Sequence, residues 1–113
     1  MSEPPELERF SFVLLRRDRR AHEFSDEELE RLQEAHLAHL GEMGARGVMT
    51  VAGPFSEQPD KTWRGFCLYT AELEEARRLA ESDPSVRAGR MAVEVFNWWT
   101  PRGALSFPER SPR

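Results

Sequence analysis

With 113 residues, the chain is long enough for one hydrophobic core and too short for two independent ones. Hydrophobic residues make up 39% and charged residues 32%, with seven Phe and three Trp, which excludes a disordered composition. The formal net charge of −4 excludes general nucleic-acid binding, which needs Lys and Arg clustered over a whole face.

In chain order, residues 1–9 read as a polar, proline-containing lead. Phe10 to Leu15 is a short apolar, β-prone run ended by arginines, and is expected to be a first strand with both faces at least partly covered. The run Arg16-Arg17-Asp18-Arg19-Arg20 that follows reads as a solvated loop, with an anionic contact as the alternative. Ser25 and Glu28 have the capping-box spacing and open a helix whose 3.6-residue pattern runs to Met43. Because a helix turns about 100° per residue, Leu29, Leu32, His36, Leu40 and Met43 fall in a sector roughly 80° wide, predicted to face the core. His36 stands where a leucine is expected. A buried imidazole without a partner costs on the order of 2 kcal/mol or more, so His36 demands a hydrogen bond or a cavity.

Gly44 and Gly47 offer stop positions before a second strand, Val48 to Ala52, closed by Gly53-Pro54. A polar loop over residues 55–62 precedes a third strand, Arg64 to Tyr69. Thr70 is the expected cap of a second helix carrying Leu73, Ala76, Leu79 and Ala80 on one face. Pro84 ends it near Ser82 and Asp83, and Asp83 is then an ordinary cap at a helix junction. Met91, Val93 and Val95 alternate with Ala92, Glu94 and Phe96 in a fourth strand, and residues 100–113 read as an arm or a disordered tail.

The order βαββαβ predicts an α+β, ferredoxin-like antiparallel sheet with both helices on one face. The other face is left with apolar residues, and the simplest cover is a second copy, giving a homodimer. Cys67, the single cysteine, excludes an intrachain disulfide and reads as a packed thiol in a reducing compartment. The N-terminal residues lack the regions of a secretion signal, and no apolar run approaches the roughly 20 residues that span a bilayer. A cytoplasmic protein with neither membrane nor nucleic-acid partners is expected.

Three segments carry a resemblance: His36 to Leu40 as H-L-x-x-L on the helix, Gly53-Pro54 after the second strand, and Asp83 to Gly89 as D-P-x-x-x-A-G before the last. In that order and spacing the chain resembles the YciI-like (YCII-related) family over most of residues 10–98. The resemblance implies a dimeric α+β barrel over residues 10–99 and an active-site pair formed by His36 and Asp83. If Asp83 accepts from one ring nitrogen of His36, it fixes the tautomer and frees the other nitrogen for general acid/base work.

No phosphate loop, dinucleotide fingerprint or convincing third ligand beside His36 and His39 is found, so no cofactor or metal is expected. Gly53, Pro54, Ser56 and Trp98 are the candidate substrate-pocket residues. Ser56 also reads as a turn residue, and Trp63, Trp98 and Trp99 equally as packing. Arg16, Arg17 or Arg87 is the guess for holding an anionic substituent. The expected function is elimination or isomerisation of a cyclic or aromatic metabolite by the His-Asp pair. The alternative is a non-catalytic ligand-binding or regulatory dimeric module, and a ligand-free dimerisation domain is the third reading.

Overall fold

The computed structural model describes residues 6–107. Strands β1 (Leu7–Arg17), β2 (Met49–Pro54), β3 (Trp63–Tyr69) and β4 (Met91–Pro101) form one antiparallel sheet in the order β2-β3-β1-β4. Helix α1 (Asp26–Ala45) links β1 to β2; α2 (Leu73–Glu81) and the single turn α3 (Pro84–Arg87) link β3 to β4. This is the ferredoxin-like α+β arrangement expected from the element order. No helix among the described residues is long and apolar enough to cross a membrane.

Strand parity decides what each face carries. Val13 and Leu15 of β1, Cys67 and Tyr69 of β3 and Val95 of β4 point toward the helices and close a core with Met43, Ala76, Leu79 and Ala80. Each large side chain buried there contributes about 1.5–3 kcal/mol. The intervening residues form an aromatic lattice on the opposite face. Phe12 stacks on Phe66 with ring centroids 4.9 Å apart, and lies 6.4 Å from Phe96. Phe96 is 49% exposed and Trp98 38% exposed on this uncovered side.

Local chemistry accounts for the element ends. Ser25 accepts from the Glu28 backbone at 3.1 Å while Glu28 accepts from the Ser25 backbone, completing the capping box. Gly47, at φ +76°, takes the left-handed turn out of α1. The second helix is capped by Glu72, whose side chain accepts from Glu75, and not by Thr70 as expected. Thr70 stays on the sheet, where its backbone N–H donates to Val48 at 2.9 Å. Gly53-Pro54 closes β2 as expected, but as its last two paired residues, opposite Phe66 and Gly65. Strands β1 and β4 extend past the expected bounds of 10 and 99, to Leu7 and Pro101, and Phe107 packs edge-on against Phe10 at 5.9 Å. The rest of the expected lead, 1–5, and of the expected arm, 108–113, lies outside the described residues.

Candidate active site

Helix α1 packs mainly on β2 and α3, and makes little contact with the central strands. Its apolar stripe therefore faces open space. Leu29, Leu32, His36 and Leu40 line a cavity of about 670 Å³ between α1 and the sheet, a size that suits a small organic molecule. Of the predicted stripe, Met43 is buried in the core and Leu40 packs partly buried against it, while Leu29, Leu32 and His36 face the cavity, which corrects the expectation that the whole stripe faces the core. The far wall comes from Leu15, Ala52, Gly53, Pro54, Gly65 and Cys67.

His36, on the cavity wall, meets Asp83 where α1 packs on the start of α3, with Nδ1 and Oδ2 2.5 Å apart. The Asp83 side chain is 2% exposed and that of His36 13%, so water competes little for the bond. The remaining oxygen of Asp83, Oδ1, accepts from the Ser85 backbone at 2.9 Å and from its hydroxyl at 2.8 Å. Asp83 thus serves as the N-cap of α3 and as the partner of His36 at once. With Nδ1 committed, Nε2 is the ring nitrogen free to meet a ligand.

Burial pushes the Asp83 carboxyl up, but the hydrogen bonds from His36 and Ser85 outweigh it and hold the group below its usual value. The carboxylate is therefore favoured in the folded chain relative to the unfolded one. Its contribution to stability is complete above the usual carboxylate range and disappears as pH falls through the lowered folded value. Asp83→Asn is expected to flatten the loss of stability on acidification, read as urea midpoints measured along a pH series.

Cys67 lines the same cavity, but burial and, secondarily, the Asp83 charge raise its thiol to about 12. It is expected to resist a disulfide reagent at neutral pH while the chain is folded and to react fully in denaturant. Stoichiometric labelling of the folded protein within seconds would contradict this.

The structure sorts the other expected site residues. Gly53 and Pro54 line the cavity with His36. Ser56 does not: it is exposed beyond the end of β2. Trp98 does not either. It lies an odd number of residues from Val95 and so projects from the opposite face, its ring 6.2 Å from Phe10. Parity also turns Arg16 away, to an ion pair with Glu94 at 3.3 Å, while Arg17 and Arg87 are exposed and outside the lining. The arginines that line the cavity are Arg64 and Arg90, neither of which the pattern of the sequence singles out. His39 is buried against a second, shallower cavity with Met43, Ser82 and Pro84, its Nε2 unpartnered among the described residues. The two helix histidines thus line different cavities.

Fold and cavity together define a ferredoxin-like α+β protein with a His-Asp pair set at a pocket of small-molecule size. The chain belongs to the YCII-related domain family, whose pattern matches residues 10–99. No curated protein matches the chain significantly. Among solved structures it is similar to 5-chloro-2-hydroxyhydroquinone dehydrochlorinase (TftG) from Burkholderia phenoliruptrix AC1100, determined in complex with 2,5-dihydroxybenzoquinone. That match has a TM-score of 0.54 and 28% identity, over 78% of this chain and 92% of that one.

Proposed function

We propose that this protein is an enzyme that eliminates or isomerises a cyclic or aromatic hydroxylated metabolite, with His36 as the general acid/base and Asp83 as its positioning partner. The observation that carries the reading is the 2.5 Å contact between His36 and Asp83 at the wall of the cavity. A proton acceptor held in one tautomer, beside apolar walls suited to a ring, is what such chemistry requires. The likeness to a dehydrochlorinase of a hydroxylated ring supports elimination as the first reaction to test.

For a halogenated dihydroxy ring, Nε2 takes a hydroxyl proton and returns one to the carbon bearing the halogen. The halide then leaves with its bonding pair as a second hydroxyl proton is removed. The sum is loss of one hydrogen halide, with a quinone formed and no external oxidant consumed. Incubation with chlorinated hydroxyhydroquinones, read as chloride release together with quinone absorbance, tests the proposal. Catalytic turnover supports it; saturable binding without turnover favours the ligand-binding module instead.

The proposal takes the working form as a homodimer joined through the aromatic face of the sheet. The exposure of Phe96 and Trp98 on that face supports the pairing. Phe96→Glu is expected to halve the sedimenting mass, because a buried carboxylate at a two-fold interface would face its own copy. A wild-type protein that already sediments as a monomer would overturn the dimer.

A further inference from the structure

Five arginines of the described chain, Arg16, Arg20, Arg77, Arg78 and Arg102, each lie within ion-pair distance of a carboxylate. The two that line the large cavity have no such partner among the described residues, and their guanidinium groups make no hydrogen bond there. Resting on the reading of this cavity as a substrate site, we infer that Arg64 and Arg90 form its oxyanion subsite, so that the substrate is a ring carrying a carboxylate or an ionised enol oxygen.

The backbone explains how Arg64 reaches the cavity. By simple alternation from Cys67 and Gly65 it should share the aromatic face with Phe66. The β1–β3 ladder instead steps from Leu15↔Gly65 to Arg16↔Trp63, leaving Arg64 as the extra residue of a bulge. A bulge re-aims one side chain, here toward the helix side. Arg90 is fixed from both directions: its N–H donates to Ser85 and its carbonyl accepts from the Asp18 N–H, each at 3.0 Å. Ser85 is also the residue that holds Asp83, so the cationic group and the His-Asp pair are joined through one short segment. Burial, then the charges of Arg64 and Arg17, lower the affinity of Arg90 for its proton, the direction expected of neighbouring cations that lack a counter-ion. Glu30, the one carboxylate among the described lining residues, is exposed on α1 and pairs with neither arginine.

Two cations facing the ring also serve the proposed chemistry. They favour the oxyanion left when His36 removes a hydroxyl proton; Arg90 is half-buried, where fixed charge acts more strongly than in water, and Arg64 contributes from the exposed rim.

The test uses 2,5-dihydroxybenzoate and its uncharged counterpart 2,5-dihydroxybenzamide, titrated calorimetrically into the wild-type protein and its variants. The wild type is expected to prefer the acid by about tenfold, the order of one charge-assisted contact. In the double variant Arg64→Gln, Arg90→Gln the preference disappears while amide affinity holds. In Arg64→Lys, Arg90→Lys part of it returns. His36→Gln retains it, because the histidine is not the anion's partner. Equal binding of acid and amide by the wild type, failure of both to bind, or a preference that survives the double glutamine variant overturns the subsite. Halide release that requires His36 but comes with no preference for the acid removes the subsite alone. A preference lost on arginine replacement, with no turnover of any ring, removes the enzymatic reading alone.

Discussion

Replacing His36 by glutamine is expected to lower kcat for hydrogen halide elimination by about 10²–10⁴-fold, the usual worth of a positioned general acid/base, with the melting temperature little changed. Glutamine keeps much of the bulk and can still donate to Asp83, but has no group that gains and loses a proton near neutral pH. Asp83→Asn is expected to cost a comparable factor for a different reason. An amide at this position presents N–H to Nδ1, which drives the ring proton to Nε2 and disables it as a base. Nitrogen-15 shifts of the imidazole separate this from a structural effect: wild type should carry its proton on Nδ1, and the Asn variant on Nε2. Retention of turnover by both variants would remove the pair from the mechanism.

Gly65→Ala is the substitution expected to cost most in stability. A Cβ at this position would lie 2.4 Å from the Gly53 carbonyl oxygen and 3.0 Å from the Pro54 Cα, both belonging to the neighbouring strand's backbone. No side chain can swing aside, so β2 and β3 must move apart, at an expected loss of about 3 kcal/mol or more. Gly53→Ala is the internal control. Nothing lies within 4 Å of its added methyl, so it is expected to change stability by less than about 1 kcal/mol. The two denaturant midpoints should differ clearly. Nearly equal midpoints would mean that the strands are not held at this separation.

The architecture was legible because its signals are local and mutually consistent. A short apolar run marks β1, alternation marks β4, and a capping box and left-handed glycine bound α1. His36 was legible as a polar interruption of an apolar stripe, and Asp83 through its place before Pro84 and the family resemblance. What the sequence hid depends on long-range geometry. The stripe of α1 reads the same whether it meets packed hydrocarbon or a cavity; only the way α1 rests on β2 and α3 decides. Trp98 is a pocket candidate on its aromatic character alone, and parity counted from Val95 excludes it. Arg64 defeats the same counting, because a bulge shifts parity by one and the lone hint in the sequence is the adjacent Gly65. His39, which lies off the predicted stripe, is more buried than His36, a consequence of where the helix axis lies.

The stand-off of α1 from the central strands leaves leucines on the inner wall only partly shielded, and Leu37 beside them is 55% exposed. A helix that gives up packing in this way is held less firmly than α2, and its rim should show the faster amide exchange. Any molecule that wedges between helix and sheet supplies the missing contacts, so occupancy and thermal resistance rise together. Melting curves across a library of small cyclic acids would consequently rank ligands before any reaction has been identified.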